Sequence, residues 1–373
     1  MQFKDVIGQE TIKQKLIDSV NTGRIHHAQL FLGDSGHGSL ALALAYAQYI
    51  NCENRTQNDS CGECGNCQKM YKLIHPDVHF SFPIVATKKK AEDQDPNTDF
   101  YTQWRTYMQE TAYPAYREWI TKIGKENQQG NIPVAEARSI IRKLSLKSYQ
   151  GGYKVLIMWL PEFLGIEGNV LLKVLEEPTP KTIFLLVAED ESKILNTILS
   201  RCQILRIPRI KEDQLATALE KVIHAEPEKA QQAASLAEGS FRRALDIFHS
   251  GEDNYFEQFS DWMRSCFRFD TAALLTWANS IAGMGRENIK NFLIYSLGVF
   301  RDSLLIKQGV ENLATLRGDQ LIWAREKFAP NISEDGVIKI VGEINEAHYH
   351  IERNSNPKIV MFDLSLTVGK NIR

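Results

Sequence analysis

Short, nearly continuous apolar runs alternate with helical patterns over residues 1–207. The apolar runs are typical of strands buried on both faces, and they cover 28–32, 78–85, 153–158, 182–187 and 204–207. Helical patterns lie between them, at 12–20, 40–50, 134–146, 169–177 and 192–199. Strands that alternate with helices predict an α/β fold, a parallel sheet with helices on both faces.

The rest of the chain carries helical patterns without further strands. A length of 373 residues is typical of two or three domains. We therefore predict an α/β domain at residues 1–207, a small helical lid at 208–250 and an all-helical C-terminal domain at 251–373.

A glycine-rich loop, Gly-Asp-Ser-Gly-His-Gly-Ser-Leu at 33–40, follows the first strand and opens the next helix. In the pattern G-x-x-x-x-G-K-[ST], backbone N–H groups cradle phosphates, the lysine reaches the β and γ oxygens, and the hydroxyl binds Mg²⁺. Gly33, Gly36 and Gly38 are present, but Ser39 occupies the lysine position and Leu40 the hydroxyl position. A hydroxyl cannot replace the ammonium group, and leucine cannot ligate a cation that requires oxygen. The loop predicts a nucleotide-binding fold in a chain that neither binds nor hydrolyses ATP.

The end of the third strand supports the same prediction. An active ATPase carries there an Asp for Mg²⁺ and a Glu that polarises the attacking water. This chain has Trp-Leu-Pro-Glu at 159–162. Glu162 is either a displaced remnant or a surface carboxylate, and we favour the surface carboxylate.

Four cysteines, Cys52, Cys61, Cys64 and Cys67, fall in one short window after the loop's helix. Two consecutive two-residue spacers allow the chain to place several thiolates around one tetrahedral Zn²⁺. Four thiolates leave no open coordination position, so we predict a structural zinc site. An iron–sulfur cluster and four unliganded surface cysteines are the alternatives.

A segment at 86–131 interrupts the α/β pattern. It begins with three lysines at 88–90 and a polar stretch at 92–97, and continues with Trp104, Tyr107, Tyr113, Tyr116 and Trp119. Aromatic residues beside lysines are compatible with a stacking platform for single-stranded nucleic acid. We favour the other interpretation, in which two short helices around Pro114 bury these rings against the main domain.

Composition and charge narrow the class of protein. The 44 basic and 46 acidic residues leave a net charge of −2, so the chain as a whole is not built to coat nucleic acid or an anionic membrane. The first residues lack the pattern of a secretory signal, and no apolar run approaches the length of a membrane span. We therefore expect a cytoplasmic protein without membrane partners.

Several sequence strings together resemble bacterial clamp-loader subunits of the AAA+ class, and most closely the delta-prime subunits among them. They are 23–28 with 30–31, the four-cysteine cluster, 75–77, 169–178 and 197–203. The resemblance covers nearly all of the α/β domain and the lid, and it implies an AAA+ fold whose C-terminal domain is an oligomerisation collar. The insertion is longer than expected for this family.

Within that family, the ATP-binding gamma/tau subunits keep the loop lysine and the strand-end acidic pair, whereas delta-prime subunits can lack them. The resemblance therefore implies a non-catalytic subunit. Arg201, in Ser-Arg-Cys at 200–202, is similar to the family's arginine finger, which acts in trans at a neighbour's ATP site. The alternative is an arginine that binds local carbonyls at a helix end. Arg242 matches the lid arginine that contacts nucleotide in active relatives, and here we expect it to pack the lid against the core.

The implied partners are gamma/tau-type ATPase subunits and a delta-type subunit of one clamp loader within the DNA polymerase III holoenzyme. The sliding clamp and primed DNA would be contacted through that complex. Two alternatives stay open: an ATP-binding gamma/tau-like ATPase, and a zinc-dependent nucleic-acid-binding protein. Nucleotide titration tests the first alternative, and the salt dependence of DNA affinity tests the second.

Overall fold

A parallel β-sheet forms the centre of the N-terminal part of the chain. The computed structural model describes residues 1–85, 96–124, 129–250, 252–316, 318–353 and 355–372. The strands in these residues are β1 (Ala28–Leu32), β2 (Val78–Ser81), β3 (Lys154–Trp159), β4 (Thr182–Ala188) and β5 (Gln203–Arg206). All neighbours pair in parallel, in the order β2-β3-β4-β1-β5.

The apolar runs of the sequence explain why the three central strands form. Every residue of β1, β3 and β4 is buried, as expected for strands covered by helices on both faces. The predicted run at 78–85 is strand only as far as Ser81. Beyond it, Ile84 and Asn131 exchange backbone hydrogen bonds of 2.8 and 2.9 Å in an antiparallel bridge.

The chain divides into two compact units, Met1–Pro227 with Ala237–Arg243, and Glu228–Leu236 with Ala244–Arg373. The α-helices before residue 227 are α1 (Glu10–Asn21), α2 (Ser39–Asn51), α3 (Gly65–Tyr71), α4 (Tyr101–Glu110), α5 (Tyr116–Ile123), α6 (Val134–Ser145), α7 (Leu172–Glu176), α8 (Asn196–Leu199) and α9 (Glu212–Ile223). Shorter 3-10 segments lie at Phe3–Asp5, Pro96–Phe100, Pro161–Leu171 and Glu191–Lys193.

Helices cover both faces of the sheet. The helix α2 is buried along its whole length and contacts β1, β3 and β4. On the opposite face, alternate residues of the same strands form a core with apolar residues of α6, the 161–171 segment and α8. Successive side chains of a strand point to opposite faces of the sheet. Each face therefore packs against its own layer of helices, as the sequence predicts.

Two predicted helices differ from the structure. The pattern at 169–177 is divided between a 3-10 segment, Pro161–Leu171, and α7, and Gly165 interrupts that segment with a positive φ of 55°. The pattern at 192–199 is divided between Glu191–Lys193 and α8, because Ile194 is extended (φ −97°, ψ 140°). Ile194 and Ile198 both reach the core from these two pieces, so burial does not require a continuous helix.

The second unit is helical throughout its described residues. The remaining helices are α10 (Pro227–Leu236), α11 (Phe241–Ser250), α12 (Glu252–Arg268), α13 (Thr271–Ala282), α14 (Arg286–Lys307), α15 (Gly318–Trp323), α16 (Glu334–Glu352) and α17 (Pro357–Asn371). Short 3-10 or π segments lie at Glu311–Leu313, Ala324–Phe328 and Ala329–Asn331. Its core is rich in aromatic rings, with Phe259, Trp262 and Phe292 fully buried.

The predicted α/β fold class is confirmed: a parallel sheet with helices on both faces is followed, among the described residues, by helical segments only. The boundaries drawn for a lid at 208–250 and a collar at 251–373 stay a prediction. Among the described residues, no helix is both long enough and apolar enough to cross a membrane.

Candidate functional site

The glycine-rich loop lies between β1 and α2, as the sequence predicts. β1 ends at Leu32, and α2 begins at Ser39 directly after Gly38. The amide of Gly33 donates to the carbonyl of Ala188, at the end of β4, over 3.1 Å. The loop therefore opens at the carboxyl edge of the sheet, where parallel α/β folds bind their ligands.

Close approach by other segments explains two of the glycines. Gly36 has a φ of 83°, and a Cβ there would lie 2.1 Å from the Oγ of Ser240. Gly38 has a φ of 95°, and a Cβ there would lie 3.2 Å from the ring of Tyr113. Both positions are thus restricted by a left-handed backbone and by a neighbouring side chain.

The two altered positions of the loop are buried. Ser39 is 7% exposed and Leu40 is 3% exposed. Within the described part of the chain, the Oγ of Ser39 has no hydrogen-bond partner. Ser39 carries no positive charge that would bind a polyphosphate, and Leu40 carries no oxygen that would bind its metal.

The cavity that the loop encloses is almost full. It is lined by the loop, Trp159, Glu189 and the turn between α4 and α5, and its volume is about 20 Å³. That volume is enough for about one water molecule. Tyr113, which comes from the insertion, is among the residues that line this space.

Tyr113 contacts three separate parts of the chain. Its hydroxyl accepts a hydrogen bond from the amide of Ile7 over 2.8 Å, and its ring lies against Gly38. The ring centroid is 5.1 Å from that of Phe241, in an edge-to-face arrangement. Burial raises the pKa of the Tyr113 phenol, so this hydroxyl stays protonated at neutral pH.

Residues 237–243 contact the loop directly. The hydroxyl of Ser240 donates to the carbonyl of Ser35 over 2.8 Å. The amide of Phe241 donates to the carbonyl of Gly36 over 3.0 Å. This stretch is therefore joined to the loop through backbone carbonyls of the loop, so the two hydrogen bonds do not depend on the loop's side chains.

Arg242 forms an ion pair with a glutamate of the insertion. Its Nη1 lies 2.9 Å from Oε2 of Glu118 on α5. The hydroxyl of Tyr107 on α4 donates to the same oxygen over 2.7 Å, which orients the carboxylate. The contact with the core expected for Arg242 is therefore made through the insertion.

Two carboxylates face the same edge of the sheet. Glu162 is half-buried, and its Oε1 accepts from the amides of Glu189 (2.6 Å) and Asp190 (2.9 Å). The expectation of a surface carboxylate was wrong, because these amides at the end of β4 need an acceptor. Burial, reinforced by the charge of Glu162, raises the pKa of Glu189 to about 7. At neutral pH Glu189 is therefore only partly ionised, and neither carboxyl group offers positive charge to an anion.

Arg201 lies at the surface after α8. Its Nε donates to Oε1 of Glu176 over 2.7 Å, its Nη2 contacts the same oxygen, and its Nη1 donates to the carbonyl of Thr197 over 2.7 Å. The Arg201 side chain is 30% exposed and that of Glu176 is 48% exposed. The guanidinium is therefore accessible and is held by an ion pair that solvent screens.

The aromatic insertion has a buried interior. Trp104 and Trp119 are 1% and 0% exposed, and Trp104 stacks on Phe82 with centroids 4.3 Å apart. Two short helices, α4 and α5, flank Pro114 as predicted, so the interpretation as packed rings is confirmed. The three lysines at 88–90 and most of the polar stretch lie outside the described residues.

The four clustered cysteines are close enough to bind one metal ion. All four Sγ atoms lie within 4.8 Å of one another. The separation is 3.5 Å between Cys52 and Cys61, 4.0 Å between Cys52 and Cys64, and 3.9 Å between Cys61 and Cys67. Four sulfurs at 2.3 Å from a tetrahedral Zn²⁺ would be about 3.8 Å apart. The residues present therefore fit such an ion.

Backbone amides point at these sulfurs. The amide of Cys61 donates to Sγ of Cys52 over 3.3 Å, and the amide of Cys64 donates to Sγ of Cys61 over 3.3 Å. The Cys64 amide is the main cause that lowers the pKa of Cys61 to about 6. Such amides favour the thiolate form that metals require.

Sequence reasoning missed Tyr113, Glu118 and Glu189 as parts of this site. Tyr113 and Glu118 are distant in sequence from the residues that they contact, and no local pattern distinguishes them from other residues of the insertion. The signal for Glu189 was available, because it directly follows a fully buried strand at the carboxyl edge of the sheet.

Comparisons with known proteins agree with this architecture. The family described as "DNA polymerase III, delta subunit" matches residues 8–211, which is more than half of the chain. The chain is 30% identical over 256 residues to the DNA polymerase III subunit tau of Escherichia coli K12, covering 66% of this chain and 32% of that protein. It is 24% identical over 334 residues to the delta' subunit of the same strain, covering 89% and 84%.

The chain thus spans about a third of the length of its tau relative. Among solved structures, a gamma subunit-related protein of DNA polymerase III from Thermotoga maritima is 16% identical, with a TM-score of 0.42, over 97% of this chain and 99% of that chain. That likeness is too low to support a functional assignment. The family match and the delta' and tau relatives confirm the resemblance found in the sequence: the chain belongs to the DNA polymerase III delta-subunit family.

Proposed function

We propose that this chain is a non-catalytic, delta-prime-like subunit of a bacterial replicative clamp loader in the cytoplasm, where it helps to load the sliding clamp onto primed DNA. One observation carries the proposal: the cavity of the phosphate loop holds only about 20 Å³, and Tyr113 is among the residues that line it. Membership of the family supports the place in a clamp loader. Gamma/tau-type ATPase subunits and a delta-type subunit would be its neighbours.

Charge also argues against ATP binding by this chain. A triphosphate with Mg²⁺ needs a cation and an oxygen ligand from the loop, and Ser39 and Leu40 provide neither. The half-buried carboxylates Glu162 and Glu189 would oppose a polyphosphate placed beside them. We therefore infer that the subunit works without bound nucleotide.

Titration of the purified full chain with a fluorescent ATP analogue and Mg²⁺ tests this inference. We expect no saturable binding up to millimolar nucleotide. Saturable micromolar binding would favour the gamma/tau-like ATPase instead. A gamma/tau subunit measured in parallel is the positive control.

The catalytic contribution of this subunit would be Arg201, supplied in trans to a neighbour's ATP site. A guanidinium placed beside the transferring phosphoryl group is worth about 10³ to 10⁵ in rate. The ion pair of Arg201 with Glu176 is exposed, and such pairs contribute about 0–1 kcal/mol. Releasing Glu176 to meet a phosphate would therefore cost little.

The ATPase rate of the reconstituted loader, stimulated by clamp and primed DNA, tests the role of Arg201. Arg201→Ala should lower this rate severely without preventing assembly. Arg206→Ala is the matched control, because Arg206 is also an exposed arginine paired with a glutamate, Glu191, at 3.0 Å. Equal rates for the two variants would contradict the proposal.

We further infer that the four-cysteine cluster holds one structural zinc ion. The sulfur separations suit a single tetrahedral ion, and Cys52 and Cys67 are buried, which leaves no open position for a reacting water. Metal analysis should find about one zinc per chain, and chelation should expose amides near 52–67 to hydrogen exchange. Protein purified without chelators that contains iron and sulfide, or no metal, would contradict this assignment.

A further inference from the structure

The insertion at 86–131 has no role in the proposed function so far, yet it makes the contacts that fill the loop. Three segments meet around Tyr113: the N-terminal stretch at Ile7, the phosphate loop, and residues 237–243. In a protein that binds a ligand between such segments, the ligand itself stabilises their closed arrangement. This chain needs another group to do so, because its loop lacks the side chains that bind nucleotide.

Tyr113 provides the first of these contacts. It is 6% exposed, and its single side chain reaches Ile7 through its hydroxyl and Phe241 through its ring. A buried aromatic ring in edge-to-face contact adds to the stability that its area provides. Tyr113 thus joins the N-terminal stretch to the 237–243 stretch across the loop.

Glu118 provides the second contact, and it is ionic. Its carboxylate faces Arg242 at 2.9 Å and is oriented by Tyr107 at 2.7 Å. Arg242 is the residue that, by the resemblance stated above, would face bound nucleotide in an active relative. Glu118 gives it an anion that belongs to the same chain.

We propose that α4 and α5 act as an internal substitute for bound nucleotide, with Tyr113 as the aromatic group and Glu118 as the anion. Because both are covalently part of the chain, their effective concentration is high and constant. Residues 237–243 therefore stay against the loop whether or not ATP is present.

Hydrogen exchange on the full chain tests this proposal. The informative amide is that of Phe241, which donates to Gly36. Tyr113→Phe removes only the hydroxyl and leaves the Ile7 amide unpaired, which should raise exchange of Ile7 about fivefold. Glu118→Gln should raise exchange of Phe241 and its neighbours about threefold. The combined variant should show both effects, the first at Ile7 and the second at residues 237–243.

Glu311→Gln is the matched control, because Glu311 forms an ion pair with Arg325 at 2.6 Å outside the insertion. It should leave exchange of 237–243 unchanged. Arg242→Gln should reproduce the effect of Glu118→Gln, and the two changes together should have no larger effect than either alone. Mg-ATP should change none of these rates.

Unchanged exchange of Ile7 in Tyr113→Phe together with unchanged exchange at 237–243 in Glu118→Gln would overturn the proposal, as would additive effects of Glu118→Gln and Arg242→Gln. Both substitutions are conservative, so loss of the fold does not obscure the result. The measurement needs no clamp loader. Its failure would leave the arginine-finger proposal intact, and the failure of that proposal would not alter this result.

Discussion

Replacing Glu189 with glutamine should make the first unit more stable at neutral and alkaline pH and less sensitive to pH. Burial, with the neighbouring charge of Glu162, raises the pKa of Glu189 from 4.5 to about 7. A carboxyl group whose folded pKa is raised stabilises the protein fully only below its unfolded pKa. That stabilisation is lost as the pH rises through the folded pKa.

The magnitude follows from the size of the shift. A rise in pKa from 4.5 to about 7, at 1.36 kcal/mol per unit, corresponds to about 3 kcal/mol. Roughly 2 kcal/mol of this change falls between pH 5 and pH 8. Because Glu189 keeps partial exposure, the measured change should lie at or below this figure.

Urea unfolding followed by tryptophan fluorescence from pH 5 to pH 8, at constant zinc, measures the effect. The free energy of unfolding of Glu189→Gln should exceed that of the wild type by an amount that grows with pH. Asp190→Asn is the control. Hydrogen bonds from Ser192 lower the pKa of Asp190, so its contribution is already complete above pH 5, and any difference should be constant over this range.

A difference between Glu189→Gln and the wild type that stays constant from pH 5 to pH 8 would refute the reasoning. It would mean that Glu189 is ionised in the folded protein without penalty. The burial penalty assigned to Glu189 would then be wrong, although an ionised Glu189 would still oppose a polyphosphate.

Three further predictions concern stability and the metal. Trp119→Ala should destabilise the first unit by about 3–5 kcal/mol in urea unfolding, because the ring is fully buried and its Nε1 donates to Pro83 over 2.7 Å; an unchanged midpoint would contradict this packing. Asp77→Ala should cost about 2 kcal/mol at pH 7 and progressively less as the pH falls below 3.8, since hydrogen bonds from the 148–150 turn lower the pKa of Asp77 from that value and the stabilisation is lost as the pH falls through the folded pKa. Cys67→Ser should release zinc, whereas Cys202→Ser should retain it; equal zinc content would place the metal elsewhere.

The parts of the fold that the sequence predicts are those in which the relevant information is local. Strands β1, β3 and β4 are covered on both faces, and their residues are therefore continuously apolar. The four cysteines lie within 16 consecutive positions, so a short stretch of chain can bring them together. The break of the predicted 192–199 helix into two short pieces was not predictable in this way. The side chain of Ile194 can be buried whether its backbone is extended or helical, so the apolar pattern is the same in both cases.

The candidate site was only partly predictable, because its decisive contacts join distant segments. The altered loop positions Ser39 and Leu40 are evident in the sequence, and the proposal of a non-catalytic subunit rests on them. The place of Tyr113 beside the loop depends on the packing of two short helices. The pairing of Glu118 with Arg242 depends on the same packing, so pattern analysis of either segment alone could not find it.

The most direct test of the account is single-turnover ATP hydrolysis by the assembled clamp loader, with clamp and primed DNA, comparing wild-type Arg201 with Arg201→Ala. Assembly is first verified by mass, and ATP binding by the neighbouring subunit is measured separately. If Arg201 serves a neighbour's site, the hydrolysis rate should fall by about 10³ or more while ATP binding stays within a few-fold. A hydrolysis rate equal to that of the wild type would contradict the account and leave this subunit without a catalytic contribution.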